Sequence, residues 1–278
     1  MSLPDSFVKM AGGGNDFLVF EADGRFLDME DRRRLALICR RGLSVGADGA
    51  LFLSPGETGL VRLDYFNSDG GYATFCANGT RCAARYAVRH ELVSSPNPTI
   101  ETGWGPIEAS VDAEGELVTL SLPAVAPPRD PVPISGRGLP PTAIPVEVGV
   151  PHLVVFLRGN LGMLAIDRLA PPLRNHPAMP DGANVNFVKA AGENRIEVRT
   201  FERGVEGETL SCGSGVVASA IAAGRQGMAA SPVLCGTKSG VALRVDFQDE
   251  GTTITNVRIT GDAREVFRGE LTQESWKE

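Results

Sequence analysis

The feature that most constrains this chain is a cysteine placed directly before a glycine-containing turn and an alanine-rich segment, which occurs once in each half of the sequence. The first copy begins at Cys76 and the second at Cys212. About ten residues before each cysteine stands a strand-like aromatic residue, Phe66 in the first half and Phe201 in the second. This repetition predicts an internal duplication in which each copy carries a cysteine at the start of a helix.

A cysteine at the start of a helix lies at the positive end of aligned peptide dipoles, which favours its thiolate form. The backbone N–H groups of the first helical turn have no intrahelical partner, so they can bind an anion such as a carboxylate. A single cysteine in this context is typical of a nucleophile or of a buried core residue. Two cysteines in matching contexts favour a pair that acts as acid and base.

The composition limits the classes of protein to consider. A chain of 278 residues with 42% hydrophobic and 22% charged residues is long enough for two globular domains. The net charge of −7 argues against nucleic acid or an anionic membrane as a partner. Five cysteines without a C-x-x-C spacing, and only three histidines, favour reduced thiols over disulfides or a zinc site. No apolar run nears the roughly 20 residues of a membrane span and no secretory signal is visible, so we expect a cytoplasmic protein.

Short runs rich in valine, leucine, isoleucine and phenylalanine recur along the chain and predict many strands. Helical patterns are few, at residues 29–40, 79–89 and 214–225. Many strands with one or two helices in each half predict an α+β fold. The proline-rich residues 123–145 are the best candidate for an interdomain linker.

An ordered set of short motifs, spread over most of the chain, resembles the diaminopimelate epimerase family. Members of this family invert one α-carbon of LL-diaminopimelate to give the meso form without a cofactor. The residues that carry the resemblance are Gly13-Gly14-Asn15-Asp16-Phe17, Gly46-Ala47-Asp48-Gly49, Phe66-Asn67-Ser68-Asp69-Gly70, Cys76-Ala77-Asn78-Gly79-Thr80-Arg81-Cys82, Pro151-His152, Asn184-Val185-Asn186-Phe187-Val188, Glu202-Arg203-Gly204 and Gly207-Glu208-Thr209-Leu210-Ser211-Cys212-Gly213-Ser214-Gly215.

The resemblance implies two pseudo-symmetric domains, each a curved, mostly antiparallel sheet wrapped around a central helix. The first domain would comprise residues 1–122 with about 262–278 and carry Cys76. The second would comprise residues 123–261 and carry Cys212. The resemblance also implies a small amino-acid substrate, a homodimer, and no pyridoxal phosphate, metal or other cofactor.

The family's functional residues map onto matching positions of this sequence. Cys76 and Cys212 would act on opposite sides of the substrate α-carbon, one as thiolate base and the other as thiol acid. His152 and Glu202 would be proton partners of the thiols, because an ordinary cysteine is only a few per cent ionised at neutral pH. Backbone N–H groups, amides and a guanidinium would bind the substrate, since these groups suit carboxylates and amino groups. These substrate-binding residues would be Asn15, Asn67, Ala77, Asn78, Asn184, Arg203, Gly213 and Ser214.

Three positions depart from the family pattern. Val150 stands where asparagine is frequent, Ala77 where glycine is frequent, and Gly49 where glutamine sometimes occurs. The predicted proton-transfer residues are intact, but contacts to the distal end of the substrate are fewer.

We therefore expect epimerisation of LL-diaminopimelate, with a racemase of another amino acid that uses the same cysteine pair as the alternative. A phenazine-biosynthesis-type isomerase and an amino-acid-binding protein are further alternatives. The cysteine pair argues against the former, because that branch generally lacks it.

Overall fold

The computed structural model describes residues 3–22, 27–56 and 59–277. The chain divides into two compact units, which are described separately. Unit 1 comprises Met1–Leu120 and Gly261–Glu278, and unit 2 comprises Ser121–Thr260.

The described residues of the first part of the chain form eight strands and two helices. In chain order these are β1 (Ser6–Gly12), β2 (Asn15–Glu21), α1 (Met29–Ile38), β3 (Gly49–Pro55), β4 (Leu60–Asn67), β5 (Tyr72–Ala73), α2 (Ala77–Arg89), β6 (Thr99–Thr102), β7 (Gly105–Val111) and β8 (Leu117–Ser121).

From residue 122 to residue 277, the described chain forms ten strands and two α-helices, with a short 3₁₀ turn at Leu161–Met163. In chain order these are β9 (Val132–Pro133), β10 (Thr142–Val148), β11 (Val150–Phe156), α3 (Ile166–Arg174), β12 (Asn184–Gly192), β13 (Arg195–Glu202), β14 (Gly207–Thr209), α4 (Gly213–Arg225), β15 (Val233–Gly236), β16 (Ala242–Asp249), β17 (Ile254–Asp262) and β18 (Arg264–Glu270).

In unit 1 the strands form a mostly antiparallel sheet around helix α2. Strand β1 pairs antiparallel with β2 and β18, and β2 pairs in parallel with β3. Strand β4 pairs antiparallel with β3 and β5 and in parallel with β6, which pairs antiparallel with β7. Helix α2 packs against β1, β2, β3, β4, β6 and β7, so the sheet surrounds it.

Unit 2 repeats this topology with a second central helix. Strands β10 to β16 pair in the same order and directions as β1 to β7, including the parallel pairs β11–β12 and β13–β15. Helix α4 packs against β10, β11, β12, β13, β15 and β16. The predicted α+β class and the internal duplication are therefore confirmed.

The two central helices are buried because small side chains face their sheets. In α2 the residues from Ala77 to Ala84 are all buried, and in α4 the run from Gly215 to Ala223 is buried as well. Small residues let the helix backbone approach the strands closely, which is how a sheet can wrap around one helix.

The outer face of each sheet carries a second helix. In unit 1, Leu35 and Ile38 of α1 pack with Leu18, Phe20 and Phe52 from the sheet. Strand β2 is therefore buried on both faces, as its continuous apolar run suggests. Helix α3 has the same place in the topology of unit 2, between β11 and β12.

Of the four α-helices that the described residues form, three were predicted from the sequence to within about three residues, but α3 was not. Its interior contains Pro171 and Pro172, which remove backbone donors and normally break a helix. Its buried residues Ile166, Ala170 and Leu173 are spaced as one helical face and join the apolar core of unit 2. Burial of that face outweighs the local preference of proline. Among the described residues, no helix has both the length and the apolar character needed to cross a membrane.

The interpretation of residues 123–145 as an interdomain linker is wrong, because this segment lies within unit 2. It contains β9 and the first residues of β10, which pair with each other. Val125 also forms an antiparallel bridge with Ile254. Prolines are tolerated here because the short strand β9 supplies only two residues to a ladder.

Candidate active site

Cys76 is the N-cap residue of α2, in the extended conformation (φ −144°, ψ 109°) that ends a strand-like segment before a helix. Its Sγ accepts a hydrogen bond from the N–H of Gly79 at 3.5 Å, so the sulfur lies over the first turn of the helix. The side chain is half-buried. The next two residues, Ala77 and Asn78, are 3% and 1% exposed, and their backbone N–H groups belong to the helix start that suits an anion.

Cys212 occupies the same position in unit 2. It is the N-cap residue of α4, again extended (φ −119°, ψ 110°), and it is buried. Its Sγ lies 3.5 Å from the hydroxyl oxygen of Ser214. Gly213 and Ser214 form the first turn of the helix. The two halves of the chain therefore present sulfur to a helix start with closely similar backbone geometry.

A series of hydrogen-bonded side-chain amides lies beside Cys76 in unit 1. The Asn78 amide nitrogen donates to the side-chain oxygen of Asn15 at 2.8 Å. The Asn15 amide nitrogen in turn donates to the carboxylate of Asp48 at 2.9 Å. Asp48 also receives a hydrogen bond from Arg41 at 2.8 Å. We call Cys76, Ala77, Asn78 and Asn15 the Cys76 half-site, because these contacts fix the two amides against the start of α2.

Asp16 extends this polar cluster to the edge of unit 1. Burial alone would raise the pKa of Asp16, but hydrogen bonds from Arg41 and Lys9 lower it below its ordinary value. The carboxylate therefore stays charged and keeps Arg41 and Lys9 in place. Asn67, also predicted to bind substrate, lies at the exposed end of β4, where its backbone forms the turn that precedes β5.

His152 lies on β11 and is fully buried in unit 2. The amide nitrogen of Asn186 donates to its Nδ1 at 3.2 Å, which places the ring proton on Nε2. Burial, and then the nearby positive charge of Arg203, lower the pKa of His152 to about 3. The imidazole is therefore neutral at physiological pH and presents an N–H donor rather than a cation.

Asn184, Glu202 and Arg203 come together at the ends of β12 and β13. The backbone N–H of Arg203 donates to the side-chain oxygen of Asn184 at 2.8 Å, and its guanidinium donates to the carbonyl of Asp181 at 2.8 Å. The carboxylate of Glu202 accepts a hydrogen bond from the hydroxyl of Thr209. These residues belong to the same unit as Cys212 and His152, and we call Cys212, Gly213, Ser214, His152, Asn184, Glu202 and Arg203 the Cys212 half-site.

Asn186 is a residue that the sequence reasoning missed. It is fully buried, contacts His152 through its nitrogen, and accepts a hydrogen bond from Thr200 at 2.9 Å through its oxygen. A Cβ atom added at Gly215 in α4 would lie 2.3 Å from this oxygen, so the helix packs directly on the amide. The available signal was the spacing Asn184-x-Asn186, because alternate residues of a strand share one face.

The other three cysteines are core residues. Cys39, Cys82 and Cys235 are buried, and burial raises the pKa of Cys39 and of Cys82 to about 12 and raises that of Cys235 as well. They therefore remain thiols at physiological pH. In the described ranges, no group of three or more histidine, cysteine, aspartate or glutamate side chains is arranged to hold a metal ion.

Solved structures with the same architecture span nearly the whole chain. A hydroxyproline epimerase from Agrobacterium vitis superposes with a TM-score of 0.71 at 17% identity, covering 97% of this chain and 93% of that one. A phenazine biosynthesis protein of the PhzF family from Bacillus anthracis gives a TM-score of 0.69 at 19% identity, covering 96% and 99%. At these identities the likeness shows the fold, a two-domain α+β architecture.

Sequence comparison is more specific. The family model described as Diaminopimelate epimerase matches residues 7–124 and 144–266. A diaminopimelate epimerase from Archaeoglobus fulgidus is 38% identical over 278 residues, covering 96% of both chains. One from Methanothrix thermoacetophila is 37% identical over 279 residues with the same coverage. This chain, with its duplicated cysteine-capped helices, belongs to the diaminopimelate epimerase family of isomerases.

Proposed function

We propose that this protein converts LL-diaminopimelate to meso-diaminopimelate by two-base proton transfer between Cys76 and Cys212. The observation that carries the proposal is the matched placement of the two sulfurs as N-cap residues of α2 and α4. Membership of the family supports the same substrate and a role in the synthesis of lysine and cell-wall precursors.

The reaction requires a base at the α-hydrogen and neutralisation of the charge that develops on the carboxylate. One cysteine, as thiolate, removes the proton from one face of the carbon, and the other, as thiol, delivers a proton to the opposite face. The bond broken is C–H, the bond formed is a new C–H of opposite configuration, and the two cysteines exchange protonation states. Helix-start N–H groups of Ala77, Asn78, Gly213 and Ser214 would bind the substrate carboxylate. Such preorganised donors typically contribute about 3 kcal/mol each to transition-state stabilisation.

His152 and Glu202 would control the protonation of the thiols. The tautomer of His152 leaves an Nε2–H that can donate to a thiolate, and its neutrality means that it adds no positive charge. Glu202 is a carboxylate held by Thr209, so it can receive a thiol proton. Donor and acceptor roles are thus divided between the two residues.

The distal amino-acid group of the substrate would be bound by amides and by Arg203. Asn15, Asn67 and Asn184 supply groups that can both donate and accept. The guanidinium of Arg203 uses one N–H on Asp181, and its planar fork suits a carboxylate.

The departure at Gly49 has a structural reason. A Cβ atom at this position would lie 2.4 Å from the carbonyl oxygen of Phe66 and 2.8 Å from the ring of Tyr65. The tyrosine ring therefore fills the space that a longer side chain at residue 49 would need. This change and Val150 are the observations that favour the second candidate function, racemisation of a different amino acid by the same cysteines.

Incubation in deuterated water distinguishes these functions. The protein is mixed with LL-diaminopimelate and, in parallel, with a panel of L-amino acids, and α-deuterium is measured by mass spectrometry. Label in diaminopimelate alone is the expected result. Label only in another amino acid would show that this amino acid, and not diaminopimelate, is the substrate. Absence of label in all samples would favour an amino-acid-binding protein over an enzyme. The double variant Cys76→Ala/Cys212→Ala is the matched control.

We propose also that the protein works as a cytoplasmic homodimer. Strand β18 carries Val266 and Phe267, which are 58% and 47% exposed, and adjacent exposed apolar side chains are typical of an interface. Sedimentation analysis of the wild type and of a Phe267→Lys variant tests the dimer. A monomeric wild type would contradict it. Fractionation of the host cell tests the location.

A further inference from the structure

Arg81 is a buried, charged residue with no role in the proposed proton transfer. It lies on α2, one and a half turns after Cys76, and its side chain is 0% exposed. Its Nη2 donates to the side-chain oxygen of Asn78 at 2.8 Å, and its Nε donates to the backbone carbonyl of Asp262 at 3.3 Å. Within the described ranges, its Nη1 has no hydrogen-bond partner.

The partners of Arg81 are neutral. Its hydrogen bonds go to an amide oxygen and a peptide carbonyl, and no ion pair joins it to a carboxylate among the residues that the structure describes. The carboxylate of Asp262, whose backbone carbonyl binds Arg81, accepts from the N–H of Gly13 and pairs with Arg264 at 3.1 Å. A guanidinium does not lose its proton in proteins, so α2 carries a buried positive charge that, among the described residues, no direct ion pair neutralises.

Few groups near Arg81 can carry a compensating negative charge. Burial lowers the pKa of Arg81, and negative charge at Cys82, Asp262 or Cys76 opposes that shift. Cys82 stays a thiol because burial raises its pKa to about 12. Cys76 is half-buried at the helix start and lies roughly 7.5 Å along the helix axis from Arg81. Among these thiols, it is therefore the one suited to carry a negative charge.

Unit 2 lacks this charge. The residue five positions after Cys212, which corresponds to Arg81, is Val217, a fully buried aliphatic residue. Both cysteines have an extended N-cap backbone conformation, but Cys212 is buried and Cys76 is half-buried. At the position five residues after the cysteine, unit 1 thus carries a fixed positive charge and unit 2 an aliphatic side chain.

We propose that Arg81 is a positioning residue that makes Cys76 the thiolate of the resting enzyme, while Cys212 rests as the thiol. Arg81 acts through its positive charge, which lies behind the start of α2, and through its hydrogen bond to Asn78. The backbone of Asn78 belongs to the first turn of α2, which Cys76 caps. This proposal deepens the proposed function and rests on it, because it assigns which cysteine removes the first proton.

The test measures each thiol separately and without substrate. Wild type, Arg81→Met and Arg81→Gln are treated with iodoacetamide across pH 5–9, and alkylation of Cys76 and Cys212 is followed by peptide mass mapping. Methionine keeps the buried volume, and glutamine keeps a hydrogen-bonding group near Asn78. Arg89→Met removes the same charge from an exposed position of the same helix and is the matched control.

In the wild type, we expect the midpoint of the alkylation curve to lie at lower pH for Cys76 than for Cys212. Both Arg81 variants should raise the Cys76 midpoint by about one pH unit, which is about tenfold less thiolate below the midpoint. The Cys212 midpoint should not move, and Arg89→Met should change neither.

Three results would overturn the proposal. They are an unchanged Cys76 midpoint in a folded Arg81 variant, an equal shift at both cysteines, and a wild type in which Cys212 ionises first. The last comparison remains decisive if neither variant folds, as judged by circular dichroism. Because the thiols are measured without substrate, failure here is distinguishable from failure of the substrate assignment, which the deuterium experiment reports.

Discussion

Replacing His152 with glutamine should remove a defined part of the pH dependence of folding. The imidazole is fully buried, its Nδ1 accepts from Asn186, and its pKa is lowered from 6.5 to about 3 in the folded protein. In the unfolded chain the same group takes up a proton near pH 6.5. Glutamine can still accept a hydrogen bond from Asn186 through its side-chain oxygen, but it does not titrate.

The sign and size follow from proton linkage. Between pH 6.5 and 3 the unfolded state binds a proton at His152 that the folded state does not, so acid stabilises the unfolded state. The contribution of His152 to stability is therefore complete above pH 6.5 and is lost progressively as the pH falls. Between pH 7.5 and 5.0 the loss amounts to about 2 kcal/mol in the free energy of unfolding.

Two measurements check this prediction. Urea unfolding at pH 7.5 and 5.0, followed in wild type and His152→Gln, should show a pH-induced loss that is about 2 kcal/mol smaller in the variant. Proton NMR of the wild type should show one histidine whose ring resonance does not move between pH 8 and 5. The chain has only three histidines, so the resonance missing from the variant assigns His152 directly.

A resonance of His152 that titrates near pH 6.5 in the folded protein would refute the reasoning, because it would mean that the ring is hydrated or paired with an acid. Equal pH dependence of unfolding in wild type and variant would refute it independently. Either result would also remove the assignment of His152 as a neutral N–H donor.

Two further predictions concern the half-sites. Gly215→Ala should destabilise the protein by about 2 kcal/mol and reduce turnover, because its Cβ would lie 2.3 Å from the oxygen of Asn186. The control is Gly207→Ala, whose Cβ meets no atom within 4 Å and which should change the free energy of unfolding in urea little. Equal destabilisation by the two substitutions would contradict the predicted clash with Asn186. The proposed two-base reaction predicts that mild oxidation inactivates the enzyme reversibly through a disulfide between Cys76 and Cys212, because that reaction requires both thiols at one substrate carbon. Full activity after oxidation, with no such linkage in mass mapping, would contradict that prediction.

Much of the architecture could be predicted from the sequence because it is repeated in the sequence. The cysteine, the glycine-containing turn and the alanine-rich helix recur in both halves. Helix α3 could not be predicted from local preference, because Pro171 and Pro172 argue against a helix and only the burial of its apolar face in unit 2 supports it.

The residues that support the half-sites were harder to predict from the sequence. Arg81 and Asn186 stood inside recognised motifs, but a motif gives residue types and not burial or hydrogen-bond partners. A buried arginine with neutral partners, and an asparagine between His152 and a helix glycine, become visible only when the strands and helices are packed. Residues that bind through side chains are easier to anticipate than residues that hold other residues in place.

The most direct test of the two-base account is the isotopic content of substrate and product early in the reaction. LL-diaminopimelate is supplied in deuterated water, the reaction is stopped at a few per cent conversion, and the two stereoisomers are separated before mass analysis. Because one thiol removes protium from one face and the other delivers a solvent-derived deuteron to the opposite face, the meso product should carry one α-deuterium while recovered LL-diaminopimelate carries none. Deuterium in the recovered substrate at that stage, or protium retained in the product, would show that a single base serves both faces and would contradict the account.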